Sequence, residues 1–346
     1  MDIAVVVNLK ARRGTERVAR ACRAALPDAR ILASRSLDEA LGFARELEAS
    51  PPDLLLSAGG DGTAVALLNA MRGALATDDA THGHPAVPTL GVLPLGTGNG
   101  WARATGAPRL DAALLRVQRV AFRGVPLPRR RFDLVEVAGT VAHFAGTGWD
   151  AELIDDFHAQ KTSTLNPLSD RMRAGLPGYL YGLFSRTIPR NVRNDRVEVE
   201  LVNTGADAMT VDASGRAVPL PGGERGSVLY RGPASVCAAG TSPEWGFGFR
   251  SFPFAGLVPR RFCMRIYAGT ALEATMRMGQ LWRGQHPLDK MHTWMLTRCR
   301  ATFSRPVPFQ IGGDRLGHLE QVEYALAHER IDIVDWRRLA RPSPRA

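Results

Sequence analysis

Apolar residues follow two patterns along the first third of the chain. Short continuous runs occur at 3–7, 54–56 and 90–93, and between them apolar residues recur every three or four positions at 37–48 and 65–71. Continuous runs are typical of parallel strands that are buried on both faces, whereas the wider spacing is typical of amphipathic helices. The alternation of the two patterns predicts an α/β domain of three layers built on a parallel sheet.

The second part of the chain has a different pattern. Apolar and polar residues alternate over 132–137, 197–201, 262–267 and 299–303, and turns rich in glycine and proline separate these stretches. Short alternating strands of this kind predict an antiparallel β-sandwich. One stretch of helical spacing, roughly 169–186, interrupts it and is expected to pack on the sandwich.

We therefore expect two domains, because 346 residues are many for one hydrophobic core. The change of pattern places the α/β domain at 1–128 and the β-sandwich domain at 129–346. Two more strands are expected near the end of the chain, at 322–327 and 331–334.

A glycine-rich turn follows the apolar run that ends at Leu56. Its sequence, Gly59-Gly60-Asp61-Gly62-Thr63, lies between a predicted strand and a predicted helix. Backbone amides in such a turn, together with the positive end of the helix, form a site for phosphate. A carboxylate would repel a bare phosphate, so Asp61 suggests either a bound Mg²⁺ or a proton to be moved.

A second glycine-rich turn follows the next apolar run, with the sequence Gly96-Thr97-Gly98-Asn99. Two such turns can converge at the carboxyl edge of one parallel sheet, which is where open α/β sheets bind ligands. The pair therefore indicates a phosphate-binding site more strongly than either turn alone.

These motifs resemble the catalytic domain of the diacylglycerol kinase and sphingosine kinase family of lipid kinases. The stretches that carry the resemblance are GGDGT at 59–63, LPLGTGN at 93–99, GTGWDA at 146–151 and QIGGD at 310–314. The resemblance runs to about residue 335 and is weakest in the middle of the second domain. In that family the end of the chain packs back near the domain junction, so we expect the last strands there.

The resemblance implies roles for individual residues. ATP would be cradled by residues of the first strand end and of both glycine turns, namely Asn8, Gly59, Gly60, Gly62, Thr63, Gly96, Thr97, Gly98 and Asn99. Asp61 would act through Mg²⁺ or orient the γ-phosphate. Asp150 would hold the acceptor hydroxyl of a lipid, and Asp314 would be the general base.

The sequence departs from the family pattern at several positions. Leu9 stands where the family usually has a proline, and Gly100 stands where the family has an aspartate after the asparagine of the second glycine turn. In the late segment, Gly312 replaces the family's aspartate. Asp314 replaces the family's glutamate and is one methylene shorter. No Asp-Gly pair for the family's accessory metal is found at 257–266, so that metal is not expected.

Four phenylalanines lie close together in the second domain, Phe247, Phe249, Phe252 and Phe254. Their spacing predicts a strand with one apolar face. They could line a lipid pocket or belong to the core, and the sequence leaves both interpretations open.

The composition limits the classes of function. The net charge is +10 and comes almost entirely from arginine; it either follows from genomic base composition or marks a basic face for anionic lipid. Aromatic residues are not interleaved with the basic ones, so nucleic acid is not an expected partner. No apolar run is long enough to span a bilayer, and the four cysteines are scattered, so we expect a cytoplasmic protein that associates peripherally with membranes.

We conclude that the sequence predicts an ATP- and Mg²⁺-dependent lipid kinase, with diacylglycerol as the acceptor. A sphingoid base or a related lipid alcohol is the first alternative. A NAD kinase shares the GGDG turn, but the stretches at 93–99 and around Asp150 argue against it. An inactive homologue that only binds nucleotide or lipid is the remaining alternative, and the oligomeric state stays open.

Overall fold

The computed structural model describes residues 1–11, 13–75, 88–162, 169–173, 175–193 and 196–340. The chain divides into two compact units, of which the first comprises Met1–Phe132 with Arg330–Ala346 and the second comprises Asp133–Glu329. An α/β unit at the N-terminus and an antiparallel β-rich unit after it confirm the predicted fold class.

The first unit is built from strands and helices that mostly alternate along the chain. Its elements are β1 (Ile3–Asn8), α1 (Glu16–Ala25), β2 (Arg30–Ser34), α2 (Leu37–Ala49), β3 (Leu54–Ala58), α3 (Asp61–Leu75), β4 (Thr89–Val92), α4 (Gly100–Thr105), α5 (Leu110–Arg123) and β5 (Arg129–Phe132), and, from the end of the chain, β18 (Ile331–Val334) and α12 (Trp336–Leu339).

In the described part of this unit, the sheet has six strands in the order β2-β1-β3-β4-β18-β5. All neighbours are parallel except β18 and β5. The strands β1 and β3 are buried almost throughout, as expected for strands covered on both faces. Helices α1 and α5 share an apolar core with one face of these strands, and α2 and α3 pack together and contact the strands as well.

The end of the chain contributes an internal strand to this sheet. β18 lies between β4 and β5 and pairs with both. The sequence pattern placed the domain boundary at 128/129 and assigned everything after it to the second domain. In the structure the first unit continues to Phe132 and includes Arg330–Ala346, because β5 meets the rest of the sheet only through β18.

Within the described residues, the second unit contains one connected network of twelve antiparallel strands, with helices between β8 and β9 and again between β14 and β15. Its elements are β6 (Val135–Val137), β7 (Thr140–Ala142), β8 (Phe144–Gly148), α6 (Trp149–Thr162), α7 (Asp170–Arg173), α8 (Leu176–Gly182), a π-helical turn (Leu183–Thr187), α9 (Ile188–Arg193), β9 (Val197–Asn203), β10 (Met209–Val211), β11 (Ala217–Pro219), β12 (Val228–Ala234), β13 (Val236–Gly240), β14 (Phe262–Tyr267), α10 (Ala271–Met276), α11 (Met278–Arg283), β15 (Met291–Leu296), β16 (Arg298–Ile311) and β17 (Asp314–Leu326).

The network divides at β16. One edge of β16 pairs with β17, whereas the other edge pairs first with β9 and then, nearer its end, with β8. Side chains then make contacts between strands that are not neighbours in the sheet. The ring of Tyr230 on β12 lies 6.3 Å from that of Trp294 on β15, and the hydroxyl of Tyr324 on β17 donates to the carbonyl of Cys237 on β13.

Two local predictions for this unit were wrong. The helical segment is longer than predicted, since helices already begin at Trp149 and continue to Arg193. The phenylalanine-rich stretch is a loop and not a strand, with a single bridge between Gly246 and Phe249. Phe247 and Gly248 have φ angles of 53° and 86°, and a backbone in this left-handed region cannot continue as a strand.

Candidate functional site

The first glycine turn joins β3 to α3 at the carboxyl edge of the parallel sheet. Ala64 N–H donates to the carbonyl of Gly60 at 3.1 Å, which makes Gly60 the residue that precedes the first turn of α3. The amides of the next three residues, at 61–63, therefore have no acceptor within the helix. Gly62 is exposed, and a Cβ placed on it would meet nothing within 4 Å. This end of α3 can accept an anion at its backbone amides.

The two glycine turns pack against each other through their main chains. A Cβ on Gly60 would lie 2.7 Å from Cα of Gly96, and one on Gly96 would lie 2.8 Å from the carbonyl oxygen of Gly59. Gly60 also has φ +96°, which is costly for any residue with a Cβ. The convergence predicted from the sequence is therefore a direct backbone contact, which a side chain at either position would prevent.

Asn99 closes the second turn with its side chain. Its Oδ1 accepts from the amide of Gly96 at 3.1 Å, and its Nδ2 donates to the carbonyl of Gly96 at 2.9 Å. Its backbone has φ 57°, a left-handed conformation that asparagine tolerates better than most residues. Thr97 and Gly98 lie inside the turn and are half-buried.

Asn8 connects the end of β1 to the first turn of α3. Its Nδ2 donates to Oγ1 of Thr63 at 3.0 Å, and its Oδ1 accepts from the amide of Lys10 at 2.9 Å. The nucleotide-binding residues predicted in the first unit therefore lie on adjoining turns of one sheet edge, and Asn8 and Thr63 hold two of these segments together.

Asp61 is the first residue of α3, but its carboxylate is directed to another helix. Both of its oxygens accept amide hydrogen bonds at the start of α4, one from Gly100 and the other from Trp101 at 3.1 Å. Negative charge is favourable at this end of a helix. The sequence assigned this carboxylate to a cation or a proton, and the structure gives it a further role in capping α4.

The surroundings of Asp61 act on its pKa in opposite directions. The side chain is only 9% exposed, and burial raises the pKa of Asp61 to about 6. Hydrogen bonds from the amides of Gly100, Trp101 and Ala102 and the charge of Arg103 act the other way. The carboxyl group is therefore ionised for the most part at neutral pH.

Two arginines that the sequence did not single out contact the other end of α4. Arg130 on β5 donates to the carbonyl of Ala104 at 3.1 Å, and Arg337 on α12 donates to the carbonyl of Arg103 at 3.2 Å. Both come from parts of the chain far from the glycine turns, so no local sequence signal could have identified them.

The predicted general base lies in the second unit. Asp314 is the first residue of β17 and is exposed. A two-residue turn, Gly312-Gly313, joins it to β16, and the register pairs Ile311 with Asp314. The φ angles of these glycines are 61° and 94°, as in the hairpin turns that favour glycine. The glycine that replaces the family's aspartate thus occupies a position where a left-handed backbone is required.

The predicted acceptor-binding residue, Asp150, is the second residue of α6, directly after β8. Its side chain is outside the described part of the structure. The turn Gly312-Gly313 lies at the other end of β8, where Gly312 N–H donates to the carbonyl of Phe144 at 2.8 Å. Asp150 therefore follows the last residue of β8, whereas the turn that leads to Asp314 is hydrogen-bonded to the first residue of β8.

The phenylalanine-rich loop forms part of an aromatic cluster. Phe252 is fully buried in a core cluster, and Phe249 stacks on Trp245 with ring centroids 5.4 Å apart. Phe247 lies 5.2 Å from Tyr179 on α8. The sequence left open whether these phenylalanines line a lipid pocket or belong to the core, and Phe252 belongs to the core.

Within the described residues, no group of three or more His, Cys, Asp or Glu side chains is arranged to hold a metal ion. Among the described residues, the first glycine turn itself carries the carboxylate of Asp61 at the start of α3. Such a carboxylate suits a Mg²⁺ ion that arrives with nucleotide phosphates, because Mg²⁺ is commonly held by one or two carboxylates and by substrate oxygens.

Comparison with known proteins supports the sequence resemblance. Residues 2–125 match the family model of the diacylglycerol kinase catalytic domain. A diacylglycerol kinase of Bacillus subtilis (strain 168) is 35% identical over 132 residues, which span 38% of this chain and 39% of that relative. The resemblance to lipid kinases is thereby confirmed for the first part of the chain.

The fold comparison extends over nearly the whole chain. The crystal structure of a diacylglycerol kinase from Bacillus anthracis str. Sterne superposes with a TM-score of 0.63 at 17% identity, covering 96% of this chain and 96% of that one. At this identity the likeness concerns the fold, which therefore includes the second unit.

We predict that Gly60 and Gly62 differ sharply in their tolerance of a side chain. Gly60→Ala adds a Cβ against Gly96 at a positive φ, which costs about 2 kcal/mol or more and should lower the melting temperature by ~5 °C or more. Gly62→Ala adds a Cβ into open space on α3 and should leave stability unchanged or raise it by up to ~1 kcal/mol. Thermal unfolding of both variants measures this; equal stability of the two would contradict the observed packing.

Proposed function

We propose that this chain, whose residues 2–125 match the family model of the diacylglycerol kinase catalytic domain, is an ATP-dependent lipid kinase. It would transfer the γ-phosphoryl group of ATP to the hydroxyl of a lipid alcohol, with diacylglycerol as the acceptor and phosphatidic acid as the product. One observation carries the proposal. Helix α3 begins in the first glycine turn, this turn is in backbone contact with the second, and the space beside Gly62 at the start of the helix is open.

The nucleotide end of the reaction is supported by the first unit. Phosphoryl transfer requires positioned phosphates and neutralised charge more than covalent chemistry from the protein. The residues proposed to cradle ATP are those on the adjoining turns, Asn8, Gly59, Gly60, Gly62, Thr63, Gly96, Thr97, Gly98 and Asn99. Backbone amides at the start of α3 would bind the phosphates, and the rigid contact between the turns would hold these amides in place without side chains that could block the approach.

Asp61 is proposed to hold a Mg²⁺ ion that enters with ATP, and the ion would neutralise charge on the transferred phosphoryl group. The carboxylate is fit for this role in two respects. It is mostly ionised at neutral pH, since its pKa is about 6, and the amides of Gly100 and Trp101 fix its orientation.

The acceptor end of the reaction is assigned to the second unit. Asp150 is proposed to bind the lipid acceptor, and Asp314, near the other end of β8, is proposed to take the proton of the acceptor hydroxyl as the general base. A hydroxyl becomes a good nucleophile only as its proton leaves, and a carboxylate in hydrogen-bond reach typically contributes ~10²–10⁴-fold to the rate. The exposed position of Asp314 at the start of β17 is compatible with contact to a substrate.

A sphingoid base or another lipid alcohol is the first alternative acceptor, followed by NAD and by an inactive protein that only binds nucleotide or lipid. These alternatives differ in one measurable property. A lipid kinase consumes ATP only when the lipid hydroxyl is supplied, a NAD kinase requires NAD, and an inactive homologue binds without turnover.

The lipid acceptor implies contact with a membrane surface, and we propose that the protein is cytoplasmic and associates peripherally. No helix in the described ranges is long and apolar enough to cross a membrane. Large apolar side chains are nevertheless exposed on the helical segments of the second unit, with Phe184 at 52%, Val192 at 62% and Met276 at 71% exposure. Together with a net charge of +10, they favour an anionic lipid surface as partner.

We predict that phosphoryl transfer from radiolabelled ATP depends on a lipid acceptor and on Asp61. In a panel of diacylglycerol, sphingoid base, other lipid alcohols and NAD, the label should enter diacylglycerol. Asp61→Asn should lose ~10²-fold or more of this turnover, because the neutral amide cannot hold the metal or balance the charge.

The control for this experiment is Asp38→Asn, which removes an exposed carboxylate of α2 and should turn over like the wild type. Asp61→Asn also loses part of the α4 cap, which costs ~1 kcal/mol and a few °C of melting temperature. Labelling of NAD alone, or an Asp61→Asn variant with most of the wild-type turnover, would contradict the proposal.

We predict that Asp314→Asn lowers turnover by roughly 10²-fold and leaves ATP affinity little changed, since it keeps the shape of the side chain and removes its basicity. Asp314→Glu should retain much more activity than the Asn variant. Glu320→Gln, at an exposed position of the same strand, is the matched control. Turnover of Asp314→Asn within a few-fold of wild type would place the base elsewhere, with Asp61 as the first candidate.

We predict that the protein binds anionic vesicles and that binding weakens as salt rises, because exposed charges are screened over ~10 Å at 0.1 M salt. Replacing Phe184 and Met276 by serine should weaken binding further, whereas Phe122→Ser, at a 91% exposed position of the first unit, should not. Sedimentation with vesicles at two salt concentrations measures both effects. Binding that is independent of salt, or absent, would argue against peripheral association.

A further inference from the structure

The short helix α4 follows directly on the second glycine turn and has only six residues, Gly100–Thr105. Isolated helices of this length are unstable in water, because the cost of forming the first turn is not recovered. The helix must therefore be held by its surroundings. Since Asn99 precedes it immediately, any movement of α4 is passed to the turn Gly96-Thr97-Gly98-Asn99.

Charged side chains hold both ends of α4. Asp61 accepts from the amides at its start, as described above. At its other end, Arg130 donates to the carbonyl of Ala104 and Arg337 donates to the carbonyl of Arg103. A negative charge at the start and positive charges at the end both match the helix dipole.

The two arginines are themselves held in place by their own elements. Arg130 lies over the ring of Phe132, with its guanidinium carbon 5.0 Å from the ring centroid. Arg337 lies on α12, whose first amides are capped by Asp335 and whose Trp336 is fully buried. The stem of Arg337 packs on Gly106, where any Cβ would collide with it.

On this basis we infer that Arg130 and Arg337 are positioning residues for the nucleotide turn. The two arginines act through α4. Their hydrogen bonds hold the carboxyl end of this helix in place, and the helix in turn holds the second glycine turn, which directly precedes it. This inference rests on the proposed function, in which that turn binds ATP. It assigns part of the nucleotide site to the end of the chain, because Arg337 follows β18 and lies beyond the residues that match the catalytic family model.

The size of the effect follows from the exposure of these groups. Both arginines are exposed, and an exposed cation at a helix end stabilises the helix only modestly. A single loss should therefore weaken ATP binding about threefold, and the loss of both about tenfold. Methionine is the suitable replacement, because it removes the charge and keeps an unbranched apolar stem that can pack on Gly106.

The test compares the full-length double variant Arg130→Met/Arg337→Met with Arg129→Met/Arg338→Met. The control changes the neighbouring residues of the same two elements and removes the same charge. Amide hydrogen exchange over residues 96–106, measured without nucleotide, should become about tenfold faster in the first variant and stay unchanged in the control. The ATP dissociation constant and the KM for ATP should rise about tenfold while kcat falls less than threefold. Replacing Arg337→Met by Arg337→Lys in the double variant should restore part of the affinity.

Two results would overturn the inference. If amide hydrogen exchange over 96–106 is unchanged in Arg130→Met/Arg337→Met, the arginines do not hold α4. If this exchange is faster but the affinity for ATP is unchanged, α4 does not position the second glycine turn. Failure of the proposed function has a different signature, since the wild-type protein itself would then bind no ATP, whatever the exchange data show.

Discussion

The first unit is organised around a contact between two pieces of main chain. Gly60 and Gly96 meet without any side chain between them, because β3 and β4 are parallel neighbours whose carboxyl ends reach the same edge of the sheet. This contact fixes the start of α3, the second turn and the start of α4 relative to one another. An anion site made of backbone amides requires this rigidity, since amides have no side-chain freedom with which to adapt.

The hydrogen bonds of Asp61 to the start of α4 resolve an apparent conflict at this residue. A carboxylate in a phosphate-binding turn should repel the phosphate, and from the sequence only a metal ion or a proton could prevent this. The structure adds a third contribution, because the carboxylate is directed to the amides that begin α4. Its charge is thus partly balanced by the positive end of one helix, which leaves the amides that begin α3 available to a ligand.

The end of the chain belongs to the first unit and not to the second. β18 connects β5 to the rest of the sheet, and Trp336 contributes to the core that α1 and α5 share with the strands. Both lie outside the residues that match the catalytic family model. A fragment that ends with the family match would therefore lack two strands of its sheet and the side chain of Arg337 that contacts α4.

Local features of the sequence determined many of the strands, helices and turns of this protein. The apolar runs at 3–7 and 54–56, the helical spacing at 37–48 and the glycine turns depend on interactions between residues near in sequence, and all were predicted. The tertiary structure alone decided the features that depend on residues far apart: β18 as an internal strand, Asp61 as the cap of α4, and Arg130 and Arg337 at its other end. The loop at 247–254 was mispredicted because regular spacing does not reveal the left-handed backbone at Phe247, where glycines on either side and packing of the aromatic rings override the local preference for a strand.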